Sequence, residues 1–135
     1  MDCKDLSDQE LVSGMESCSL PGELFHHADH IRLAWIYLRM MPEPKAAERM
    51  ASTLKNFSAF NGKPERYHHT MTLAWIRVVA AARFATPEPG VFEEFFAAHP
   101  HLADQHLLLH HYSQRRMDDP RARSEWVEPD LCPLP

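Results

Sequence analysis

The amino-acid sequence predicts an all-α fold: a single-domain bundle of four or five helices with an extended, proline-rich C-terminal tail. The domain spans 1–135, with 1–5 and 113–135 largely non-helical. Three observations carry this expectation. Apolar residues recur at three- and four-residue steps in every long segment, the spacing of one helix face. The 11 prolines and 4 glycines punctuate those segments. No stretch shows the two-residue alternation of an exposed sheet. With 135 residues, 44% of them hydrophobic and 24% charged, the chain is long and apolar enough for one buried core.

The elements follow in order. Ser7 and Glu10 have capping-box spacing, each able to satisfy the other's free amide, so a short helix through Leu11, Val12 and Met15 is expected. Pro21-Gly22 opens a longer segment ending before Pro42, with Leu24, Ala28, Ile31, Trp35 and Leu38 on one face. Pro44 suits a helix start, where its missing N–H has no partner to lose. The stripe Ala47, Met50, Ala51, Leu54 and Phe57 follows, and Asn61-Gly62 can end it in the left-handed conformation. Pro64 opens a helix running to about Thr86, before Pro87, apolar nearly all round in its second half and therefore the candidate for the most central one. Pro89-Gly90 leads into VFEEFFAA, which stops before Pro100, and a further helix is expected through Leu102, His106, Leu109 and His110. From Ser113 the periodicity dissolves, and Trp126, Val127 and Leu131 are the apolar anchors of an extended tail.

Composition narrows the function. The net charge is −5 and no Lys/Arg run stands out, so neither nucleic acid nor an anionic membrane is an expected partner. No apolar stretch approaches the ~20 residues that span a bilayer, and the acidic N-terminus lacks a signal-peptide core, so a cytoplasmic protein is expected. Cys3, Cys18 and Cys132 are odd in number and form no CxxC pair, which points to free thiols.

Histidine is the unusual residue, with 10 in clusters. His27 and His30 are three apart, His26 and His30 four, and His106 and His110 four, spacings that align side chains on a helix. Neutral imidazole is a good metal ligand, and a helix fixes two donors at once. His68 opens a neighbouring helix, where a third ligand could converge. His99, His101 and His111 read as solvated polar residues. Tyr67, His69, Thr70, Thr72 and Tyr112 are candidates to line a substrate pocket, although Thr70 could equally back-bond to its helix and a tyrosine could seal a core edge. HHADHIRLAWI (26–36) and HHTMTLAWI (68–76) echo each other, but their gaps differ by two residues, which favours coincidence over duplication.

The stretches FHHADHIRLAW (25–35), YHHTMT (67–72) and WVEPDLCPLP (126–135) resemble a family of small bacterial helical proteins of uncharacterised activity. Its pattern is F-x-H-x-x-H-x-R-L-A-W followed by Y-H-x-T-x-T. The resemblance favours His27, His30 and His68 over the other histidines; at the position of His69 the family pattern has glutamate, so an acid–base role there is not carried over. The combined expectation is a His-ligated metal-binding helical protein, a metal-dependent enzyme acting on a small molecule. The metal ligands are His27, His30 and His68, with His26, His106 and His110 as second choice. Zinc is the first ion considered, ahead of iron, nickel or copper; few carboxylates share these positions, which disfavours a di-iron carboxylate bundle. The alternative is a non-catalytic interaction or structural protein, as a monomer or homo-oligomer.

Overall fold

The computed structural model describes residues 2–86 and 90–135; the expected stop at Pro87 and the turn at Pro89 lie outside the described residues. Helix, 3₁₀ turns included, accounts for 70% of the described residues, which contain no strand. They form seven α-helices instead of four or five, together with short 3₁₀ turns. No helix among the described residues is long and apolar enough to cross a membrane. The chain divides into two compact units, Met1–Tyr67 and His68–Pro135.

The first unit holds α1 (Asp8–Glu16), α2 (His27–Met40) and α3 (Glu43–Phe60). The capping box at α1 forms as its spacing predicts: Glu10 N–H donates to Ser7 Oγ at 3.1 Å, and Ser7 N–H to Glu10 Oε1 at 2.8 Å. Helix α2 does not begin at Pro21. Gly22–Leu24 is a 3₁₀ turn, His26 is extended, and α2 starts only where Asp29 accepts the His26 amide at 2.9 Å. From Ile31 to Leu38 every residue of α2 is buried.

The buried face of α3 is Ala46, Met50, Thr53 and Phe57, rotated from the apolar stripe read off the sequence; Ala47, Ala51 and Leu54 are half-buried. Thr53 explains the difference. Its hydroxyl pairs with Tyr37 Oη at 2.9 Å, while that phenol donates to Glu16 Oε2 at 2.7 Å, so a polar residue sits in the core with its hydrogen bonds made. Helix α3 ends as Asn61-Gly62 predicts: Gly62 has φ +71°, its N–H reaches Ala59 O, and Lys63 N–H reaches Ser58 O.

The second unit holds α4 (His69–Ala85), α5 (Phe92–Ala98), α6 (Gln114–Asp118) and α7 (Pro120–Ser124). Helix α4 carries its longest buried face, including Trp75, Ile76, Val78 and Val79, and packs on α7. The helix expected through Leu102 to His110 is instead two 3₁₀ turns, Pro100–Ala103 and Leu107–His110. Asp104 Oδ1 takes the His106 amide at 2.9 Å, an Asx-type bond that competes with helix continuation.

The tail carries two five-residue helices and is otherwise non-helical. Ser113 caps α6 by accepting the Arg116 amide, and Asp119 caps α7 by accepting the Arg121 amide ahead of Pro120 at the first helical position. Beyond α7 the chain is extended and strapped down. Thr70 Oγ1 donates to Glu125 O and accepts the Val127 amide, Tyr112 Oη donates to Val127 O, and Asp130 receives the Ser113 amide and hydroxyl. Val127 is the buried anchor; Trp126 is half-buried, edge-on to the Tyr112 ring at 6.4 Å.

Candidate functional site

Asp29 draws α2 into helix at its first turn, and that turn places the histidines of the first unit. His26, at the cap position, turns its side chain outward, with Nδ1 3.8 Å from Asp29 Oδ2. His27 and His30 follow one turn apart, close enough for the charge of His27 to disfavour protonation of His30. The His30 ring lies 6.2 Å from the Phe25 ring, and its Nε2 is sealed from solvent with no hydrogen-bond partner. Burial first, and His27 second, pull its pKa from 6.5 to about 4. The imidazole is therefore neutral at physiological pH, the protonation state in which a ring nitrogen can bind a metal.

His68, in the second unit, is buried and fully engaged. Its Nδ1 accepts the Met71 amide at 3.1 Å, and its Nε2 lies 2.9 Å from Met117 O. The amide can only donate and the carbonyl only accept, so Nε2 carries the proton. Burial leads the lowering of its pKa. A metal at His68 would have to displace the helix cap or the strap to Met117. The echoed HH pairs occupy the same place in two helices, the cap position and the first helical residue. His68 caps α4 with its own ring, whereas α2 relies on Asp29.

Of the remaining candidates, His106 lines one cleft with His68, but the His106–His110 helical pair does not form. His106 precedes a 3₁₀ turn and His110 ends it, both exposed. At three residues per turn, side chains four apart no longer point the same way, so the helical pairing is lost. Thr70 and Tyr112 spend their hydroxyls on the tail, and burial raises the Tyr112 pKa to about 12. Thr72 Oγ1 back-bonds to His68 O at 2.8 Å. Tyr67 and His69 are half-buried, at the end of one unit and the start of α4. Among the described residues no group of three or more His, Cys, Asp or Glu could hold a metal ion.

Two features were not legible in advance. His99 is not simply solvated: its Nε2 pairs with Thr86 Oγ1 at 2.7 Å and its ring lies 5.0 Å from Phe95. Arg32, buried on α2, donates to Asp8 Oδ1, Cys3 O and Leu6 O, tying the N-terminal segment to the helix. Cys3 is buried in that same segment, and burial together with the charge of Asp29 pushes its thiol up to about 11. A hollow of about 570 Å³ is an open groove lined by residues of α1 and α2 and holds none of the candidate histidines. No protein-family model, curated protein or solved structure matches the chain.

Proposed function

We propose that the protein is a His-ligated metal-binding helical protein, with His30 and His27 on the first turn of α2 as the donor pair. One observation carries this reading: His30 Nε2 is a buried ring nitrogen with no hydrogen-bond partner. Native interiors rarely leave such an atom unpaired without an ion, a water or a chemical role. Two imidazoles on one helical turn suit zinc first, then iron, nickel or copper. A pair of protein ligands leaves coordination positions open for water or for a small substrate, and an ion held there would polarise it. Metal-dependent chemistry on a small molecule is the activity proposed.

The competing reading is a non-catalytic helical protein without an ion. The hydrogen bonds of His68, Thr70 and Tyr112 favour it, because they stabilise the fold and leave those groups little freedom to bind substrate. Metal analysis separates the two. Protein made without a histidine tag, dialysed against zinc and then desalted, should retain close to one ion per chain. His30→Ala should lose it, and His101→Ala, altering an exposed residue of the Pro100–Ala103 turn, should not. Wild-type protein that retains no ion would overturn the metal-binding reading.

A further inference from the structure

The second unit contains a cleft of about 210 Å³ beside the first turn of α4, lined wholly by residues of that unit. Met71 and Met117 both line it, and one side chain anchors them. His68 Nδ1 accepts the Met71 amide at 3.1 Å, and His68 Nε2 donates to Met117 O at 2.9 Å, so the two methionines are tied to the two nitrogens of a single imidazole. Met117 is buried and Met71 half-buried. His106, exposed, lines the same cleft. Its amide is fixed by Asp104 at 2.9 Å, and among the described residues its ring makes no hydrogen bond or ion pair. The charged groups of the cleft are already engaged: Asp118 accepts from Gln114 Nε2 at 2.8 Å, and Arg123 has its own partner.

We propose that this cleft binds one Cu(I) ion through the thioether sulfurs of Met71 and Met117 and a ring nitrogen of His106. The donor types select the ion. Thioether sulfur is a soft, uncharged ligand that suits Cu(I), whereas zinc, iron and magnesium draw on harder or charged donors. A monovalent ion is also the cheapest to hold in a cleft with no uncommitted carboxylate, since less charge is taken from water. Cu(I) is satisfied by two or three ligands, so the set needs no further protein donor. His68 does not ligate: both of its nitrogens are bonded, and it acts as the positioning residue that keeps the two methionines at one cleft. The volume holds about seven waters at ~30 Å³ each, ample for one ion. None of these residues belongs to the proposed site on α2, and the assignment does not rest on it.

The test is a titration of Cu(I), kept reduced with ascorbate and competing with bicinchoninate, into the full chain isotope-labelled at the methionine methyl carbons. Cys18→Ser and Cys132→Ser remove the thiols that solvent reaches, which would otherwise capture the ion. One equivalent of Cu(I) should shift the Met71 and Met117 methyl signals together, and one equivalent of zinc should leave both in place. Met71→Leu and Met117→Leu, nearly volume-conserving, and His106→Ala should each weaken Cu(I) binding by about tenfold or more. Met40→Leu, exposed on α2, should not. Melting curves of the variants report that they are folded, and the methyl shifts of the parent protein stand even if one of them is not. Cu(I) that leaves the two methyl signals unmoved, zinc that shifts them as far as Cu(I) does, or unchanged affinity in folded Met71→Leu and Met117→Leu would each overturn the assignment.

Discussion

A ring nitrogen sealed from solvent without a hydrogen bond makes an imidazole expensive to ionise, and His30 therefore couples stability to pH. Its pKa in the fold is about 4, below the ordinary 6.5, so the unfolded chain takes up the proton first as the solution is acidified. The stability that neutral His30 represents is complete above the unfolded pKa and is lost as pH falls from there toward 4. At 1.36 kcal/mol per pKa unit the loss is on the order of 3 kcal/mol. Urea unfolding of His30→Phe with chelator present should show a flatter acid dependence than wild type; a residual slope remains, because burial depresses His68 in the same direction. Identical slopes for the two proteins would mean that His30 is not sealed. Arg32 makes the complementary case. Replacing it with Met strands two backbone carbonyls and Asp8 and should cost about 3 kcal/mol of unfolding free energy in urea. The sequence marks His30 by its spacing from His26 and His27 and Arg32 only as a polar side chain on an apolar helix, since nothing local records what surrounds either.

At the scale of the elements, cap chemistry was the legible part. Ser7 with Glu10 and Asn61 with Gly62 act over three or four residues, so their spacing alone foretold how α1 begins and how α3 ends. Gly62 has open space where a Cβ would sit, but its φ of +71° strains any side chain, so Gly62→Ala should cost about 1 kcal/mol by thermal unfolding. A stabilised variant would refute the left-handed terminus. Ser113 and Asp119-Pro120 carried the same kind of signal for α6 and α7, obscured by their five-residue lengths. The phase of α3 and the 3₁₀ character of 100–110 were not legible. Thr53 in the core and the Asp104 side-chain bond both run against apolar counting.

For the molecule as a whole, the hydrogen bonds of Thr70, Tyr112 and Ser113 make the extended C-terminus part of the second unit. Deleting 126–135 orphans the Tyr112 hydroxyl, exposes the site of Val127 and should lower the melting temperature by at least about 5 °C, as a loss of a few kcal/mol does in a domain of this size. An unchanged melting curve would show that the straps contribute nothing. This tail also accounts for residues singled out as pocket candidates. Thr70 and Tyr112 have the hydroxyls a substrate site needs, and the same hydroxyls hold the chain end in place.

What the sequence alone determined is whatever depends on neighbours along the chain: the helical class, the approximate segments between prolines, and the caps of α1 and α3. What only the tertiary structure decided depends on distant partners. His68 meets Met117 across 49 residues and Thr70 meets Val127 across 57, so the use of their polar atoms for structure has no local signature. The same holds for His30, which periodicity places on a helix while only packing around the ring closes off Nε2. Helix periodicity reports direction within one element; whether a side chain found there is paired, sealed or available is set by the elements folded against it.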